Sequence, residues 1–119
     1  MADGKRTAIV EDDFLIAEYL RSLCEDMAVP VVGFAATADD AVAMLRETRP
    51  DYLLLDVRLS GKRDGLDVSK EIREELPSMK IIFVTASADP MTMVRMSSQR
   101  PHRLLMKPIN PAALEDAFE

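Results

Sequence analysis

Tyr52-Leu53-Leu54-Leu55-Asp56 is an apolar run without alternation that ends on a carboxylate. A strand with one wet face alternates apolar and polar residues, whereas a strand covered on both faces does not, and that second pattern belongs to parallel sheets. Pro50 lies just before the run, and the loop Ser60-Gly61-Lys62-Arg63-Asp64-Gly65 follows it.

Working outward, similar short apolar runs alternate with stretches of helical period. Towards the N-terminus, Thr7-Ala8-Ile9-Val10 sits between Lys5-Arg6 and Glu11-Asp12-Asp13. Ile16, Leu20, Leu23 and Met27 then recur at helical spacing, with Asp13 placed to cap the helix. Residues 29–35 read as a second strand, and Pro30 and Gly33 put it at a sheet edge. Thr37 followed by Asp40 resembles a capping box for a helix carrying Ala38, Ala41, Val42 and Leu45, which must stop before Pro50.

Beyond Asp56, Val68, Ile72 and Leu76 mark a third helix ending at Pro77, and Gly65 is expected to supply a backbone angle that strains other residues. Residues 80–84 form another apolar run leading to Thr85, and Asp89-Pro90 looks like an N-cap with proline in the first turn. The helix expected over 91–98 has a weak apolar pattern. Residues 102–106 read as the last strand, and Asn110-Pro111 opens a short final helix carrying Leu114 and Phe118. Strict alternation of strand and helix predicts an α/β fold with a parallel sheet and helices on both faces, because parallel strands need crossover connections.

The 119 residues suit one domain with one core, so residues 1–119 are expected to form a single unit. A net charge of -6 argues against direct nucleic-acid binding, which depends on Lys and Arg neutralising phosphates. Cys24 is the sole cysteine, so an internal disulfide is impossible, and it reads as a small buried apolar residue. Met1 to Thr7 lack the apolar stretch of a signal peptide, and no run approaches membrane-spanning length. A cytoplasmic protein with no membrane partner is expected.

The polar residues fall at particular places. Glu11 and Asp12 follow the first strand, Asp56 the third, Thr85 the fourth and Lys107 the fifth. In an open α/β sheet, ligands bind in the crevice outside the carboxyl ends of the strands, so these residues should converge there. Crowded carboxylates repel one another unless a cation joins them. Oxygen ligands with few protein donors suit Mg²⁺, which keeps several waters and commonly shares a phosphate oxygen. A carboxylate can attack phosphorus as a nucleophile, a lysine supplies a point charge for phosphate oxygens, and a threonine hydroxyl can hydrogen-bond another. Every residue type in the set has a task in phosphoryl transfer to Asp56.

In this order, Glu11-Asp12, Leu53-Leu54-Leu55-Asp56, Val84-Thr85-Ala86 and Lys107-Pro108 resemble the motifs of the CheY-like receiver domain of two-component response regulators. The resemblance covers nearly the whole chain. It implies a flavodoxin-like, doubly wound five-stranded sheet of order 2-1-3-4-5 and phosphorylation by a histidine kinase or phosphotransfer protein. Carried over, Asp56 is the phosphoacceptor, Asp12 binds Mg²⁺ directly and Glu11 through water, and the main-chain carbonyl of Arg58 completes the protein ligands. Thr85 and Lys107 contact the phosphoryl group, and Lys107-Pro108 is a cis peptide. Such a domain is no enzyme in the ordinary sense, since it catalyses only its own phosphorylation and dephosphorylation. It is expected as a monomer or weak homodimer, switching a protein-binding surface.

Two rival readings stand beside this one. A pseudo-receiver that binds partners without phosphorylation would not need the complete set of Glu11, Asp12, Asp56, Thr85 and Lys107. A phosphohydrolase with an aspartyl nucleophile wants an acid two residues on, where this chain has Arg58. Two departures from the family pattern stand out: Leu104 occupies a position that is often aromatic, and Ser60 one that is often proline. Met91, Met93 and Met96 read equally as a pliable partner surface or as core filling. His102, the only histidine, reads as structural or exposed.

Overall fold

The computed structural model describes residues 4–86 and 89–119. Ten elements alternate along the chain: β1 (Thr7–Val10), α1 (Phe14–Asp26), β2 (Val31–Ala35), α2 (Ala38–Thr48), β3 (Tyr52–Asp56), α3 (Gly65–Ile72), β4 (Lys80–Thr85), α4 (Pro90–Ser98), β5 (Arg103–Met106) and α5 (Pro111–Ala117). The five strands form one sheet in the order β2-β1-β3-β4-β5, every pairing parallel. The expected topology is present, with β2, which carries Gly33, at one edge.

Period two along each strand sorts the core into two layers. Leu53 and Leu55 of β3, Ala8 and Val10 of β1, and Ile81 and Phe83 of β4 pack with Ala41, Leu45, Val68, Ile72 and Met96 from α2, α3 and α4. Tyr52, Leu54, Ile9, Ile82 and Val84 point the other way, onto Leu20, Leu23 and Cys24 of α1 and onto Leu114, Ala117 and Phe118 at the chain end. At the start of β3, the Tyr52 hydroxyl donates to the Phe118 carbonyl at 3.0 Å, and the two rings meet edge to face.

The expected caps are in place, although Thr37 caps α2 by a single bond rather than by the reciprocal pair of a capping box. Asp13 accepts from the N–H groups of Leu15 and Ile16, Thr37 from Asp40, Asp89 from Thr92, and Asn110 from Ala112 and Ala113. Such side chains satisfy helix donors that have no partner within the helix. Cys24 is buried, which pushes its thiol up to about 11, in keeping with a structural residue.

Four expectations need correction. β2 begins at Val31 because Val29 N–H still bonds to Cys24 O, closing the turn after α1. α3 ends at Ile72, with Leu76 buried in the turns beyond it, where Glu75 N–H bonds only three residues back, to Ile72 O. β5 starts at Arg103, although His102 N–H already bonds to Ile81 O at 2.7 Å. Gly65 has no positive φ; that conformation belongs to Gly61, at φ +100°. The methionines divide: Met96 is fully buried, Met93 packs partly against the core, and Met91 is 75% exposed. His102 sits edge-on to Tyr52, with ring centres 5.8 Å apart, which favours the structural reading.

Candidate functional site

The carboxyl ends of four strands deliver the predicted residues to one place. Glu11 and Asp12 follow β1 directly, and Glu11 is tied back to the sheet by its N–H, which donates to Ala35 O at 3.0 Å. Asp56 is the last residue of β3, Thr85 ends β4, and Lys107 follows β5 with its N–H donating to Thr85 O at 2.8 Å. Carboxylate oxygens of Glu11, Asp12 and Asp56 lie within 4.8 Å of one another. Glu11 and Asp56 are only 4% and 5% exposed, whereas Asp12 faces solvent.

Lys107 Nζ reaches into this group. It lies 2.7 Å from Glu11 Oε1 as an ion pair without hydrogen-bond angles, and it donates to Asp56 Oδ2 at 3.3 Å. Asp56 Oδ1 accepts from Arg58 N–H at 3.2 Å, and Glu11 Oε2 accepts from Asp13 N–H at 3.1 Å. Thr85 is fully buried, one residue beyond the Val84 that pairs with Asp56 across the sheet. The Arg58 side chain is exposed, so its contribution at the site is made by its backbone.

One ammonium facing three carboxylates leaves the site short of positive charge. Burial raises the Glu11 pKa most, the Asp56 carboxylate raises it further, and contacts with Lys107 and Asp13 N–H hold it at about 7. Burial also works against the charge on Lys107, but its contacts with Glu11 and Asp56 outweigh that, and its pKa stands above the ordinary lysine value. An all-oxygen cluster with excess negative charge and an open side at Asp12 fits a hard divalent cation that keeps part of its water shell.

Two residues that the sequence marks for other reasons are neighbours of this site. A Cβ placed on Gly65 would lie 2.0 Å from Asp56 O and 2.9 Å from its carbonyl carbon, so the start of α3 touches the backbone of Asp56 itself. Gly65 N–H also bonds to Val57 O at 2.7 Å. The reciprocal capping box of Asp64 and Asp67 fixes this helix start, and the Asp-x-x-Asp spacing was its signal. The second is Ser60, whose Oγ–H donates to Asp12 Oδ2 at 3.2 Å.

Comparison with known proteins identifies the family. The family described as "Response regulator receiver domain" matches residues 7–119. The chain belongs to that family. A probable C4-dicarboxylate response regulator, DctR of Halalkalibacterium halodurans, is 34% identical over 114 residues, covering 95% of this chain and 49% of that protein. The chemotaxis protein CheY of Thermotoga maritima is 26% identical over 115 residues, covering 97% of this chain and 95% of that one. This receiver domain therefore spans about half the length of the first relative and nearly all of the second. Among solved structures, the signal receiver domain of a modulated diguanylate cyclase from Desulfovibrio desulfuricans superposes with a TM-score of 0.87 at 32% identity, covering 93% of this chain and 87% of that one. A CheY-like receiver domain protein from Methanospirillum hungatei gives 0.85 at 28% identity, covering 94% of this chain and 88% of that one. Receiver domains serve phosphorylation-based signalling in two-component systems and bind Mg²⁺ in an acidic pocket. They act as signalling domains rather than as classical enzymes. Among the described residues, no helix is long and apolar enough to cross a membrane.

Proposed function

We propose that this receiver domain accepts a phosphoryl group on Asp56 from a histidine kinase or phosphotransfer protein. The observation that carries the reading is the position of the Asp56 carboxylate, at the end of β3, in one cluster with Glu11 and Asp12 and within 3.3 Å of Lys107 Nζ. A carboxylate oxygen of Asp56 forms the new O–P bond as the P–N bond to the donor imidazole breaks. The freed imidazole then takes up a proton.

Asp12, Asp56 and the Arg58 carbonyl would hold Mg²⁺, with Glu11 acting through water. When bound, Mg²⁺ supplies positive charge that offsets the carboxylates and the incoming phosphoryl oxygens. Lys107, which donates to Asp56 Oδ2, would pair with a phosphoryl oxygen, and the Thr85 hydroxyl would bind another. Thr85 O accepts from Lys107 N–H, so a pull on Thr85 is passed to the start of the β5–α5 connection. The output is then a change in the face formed by α4, β5 and α5, a shift between two conformations biased by the new charge. Leu104, half-buried against the α2–α3–α4 layer, takes no polar part in that shift.

The test is intact mass spectrometry after incubation with Mg²⁺ and a small acylphosphate donor. One added phosphoryl group on the native chain and none on Asp56→Asn is expected. No adduct on the native chain, or an undiminished adduct on Asp56→Asn, overturns the reading.

A further inference from the structure

Asp12 is the outlier of the acidic group. Glu11 and Asp56 are buried and share Lys107, but Asp12 is exposed and Lys107 does not reach it within ion-pair distance. An exposed aspartate turns freely about its side-chain bonds, and a ligand that must first be ordered binds its metal more weakly. One described group restrains it. Ser60 Oγ–H, from 48 residues further along the chain, donates to Asp12 Oδ2 at 3.2 Å.

Ser60 is itself held from three sides. Its backbone pairs in a parallel bridge with Thr37, the residue that caps α2. Leu59, before it, packs against the core layer under α2 and α3. Gly61, after it, turns the chain at φ +100°, a conformation costly for any residue with a Cβ. The hydroxyl thus reaches Asp12 from a loop whose path is fixed by contacts outside the acidic group.

The choice of donor is also informative. A lysine in this place would neutralise Asp12 and compete with a metal cation for it. A serine hydroxyl is neutral, occupies one oxygen of Asp12 and leaves the other available. That is the arrangement of an outer group that orients a metal ligand without replacing the metal.

We infer that Ser60 is a positioning residue for Asp12 and sets the affinity of the acidic site for Mg²⁺. The inference rests on the reading of Glu11, Asp12 and Asp56 as the Mg²⁺ site. It assigns to the Ser60 hydroxyl a role in metal binding and none in the transfer step at Asp56.

The experiment is calorimetric titration of Mg²⁺ into the native chain, Ser60→Ala and Ser60→Thr, with thermal melts in metal-free buffer. The rate of adduct formation on Asp56 is followed in parallel as Mg²⁺ is varied. Loss of an outer group costs roughly tenfold in metal affinity at the low end, as suits an exposed pair. Ser60→Ala is therefore expected to bind Mg²⁺ roughly tenfold more weakly and to shift the Mg²⁺ midpoint of adduct formation equally. The rate at saturating Mg²⁺ and the metal-free melting temperature are expected to stay native, and Ser60→Thr, which keeps the hydroxyl, to bind like the native chain. Native affinity in Ser60→Ala, or equal losses in the Ala and Thr variants, overturns the inference. Absence of an adduct on the native chain alongside a Ser60-dependent affinity instead overturns the phosphoacceptor reading and supports this one.

Discussion

β3 and β5 belong to the same parallel sheet and end at the same site, yet they are built differently. All five residues of β3 are buried, with Leu53 and Leu55 under one helical layer and Leu54 under the other. β5 has two exposed and two half-buried residues. Met106 on β5 and Met91 and Val94 on the preceding α4 are exposed apolar groups. α4 has a single buried residue, Met96, and α5 is seven residues long. Asp56, the proposed phosphoacceptor, thus ends a wholly buried strand, and Lys107 follows one with no buried residue. Chemistry needs a fixed geometry, whereas a change of conformation is cheapest where few packed contacts must be given up. On the proposed reading, the two tasks are separated across the width of one sheet.

The widest test of this contrast compares two leucines. Leu54→Ala is expected to cost about 4 kcal/mol and Leu104→Ala about 1–2 kcal/mol in denaturant unfolding, since the cost of truncation follows burial and the cavity left behind. Equal costs would remove the distinction between the strands. Gly65→Ala attacks the confined side differently. The added methyl must displace the Asp56 backbone, so a loss of about 2–3 kcal/mol from overpacking is expected, with a slower phosphoryl adduct at every Mg²⁺ concentration. A stable Gly65→Ala domain with native adduct kinetics would show that the α3 start does not constrain Asp56.

Lys107→Ala strips the one described ammonium from two buried carboxylates. A melt in metal-free buffer is expected to show a loss of about 2 kcal/mol, below the full cost of breaking a buried pair because Lys107 is itself part-exposed. Saturating Mg²⁺ is expected to restore most of it, because a ligand that binds only the folded state stabilises it. The smallest effect belongs to His102. Burial, then Arg103 and Lys80, hold its pKa below the ordinary value, so the folded form resists protonation. Stability therefore falls as pH drops through the ordinary histidine pKa of about 6.5. Melts of the native chain and His102→Gln are expected to diverge only below that pH, with the variant falling less.

Much of the architecture was legible because its signals are local. Uniform apolar runs marked β1, β3 and β4, and Asp13, Thr37, Asp89 and Asn110 marked helix starts through bonds to backbone two or three residues away. The convergence of Glu11, Asp12, Asp56, Thr85 and Lys107 followed from strand ends in a parallel sheet. What stayed hidden depends on approach between distant segments. Gly65 looked like a turn glycine, but its need arises from the Asp56 carbonyl against it, whereas the turn conformation belongs to Gly61. Ser60 registered only as a departure from proline, since its partner Asp12 comes near only after β1 and β3 have paired. Leu76 continued the helical period after α3 had ended, because burial set its place and the period did not.

The Tyr52–Phe118 bond gives β3 the character of a strut. Four peptide steps at about 3.3 Å put its two ends about 13 Å apart, with the Asp56 carboxylate at one end and the chain's last buried residue bolted to the other. A strut fixed at its base cannot slide lengthwise when its tip is loaded. On the proposed reading, a load on Asp56 leaves sideways, through the lateral bonds to β4 and the loops around the tip, while the Tyr52–Phe118 bond holds the end of α5 to the base of the strand.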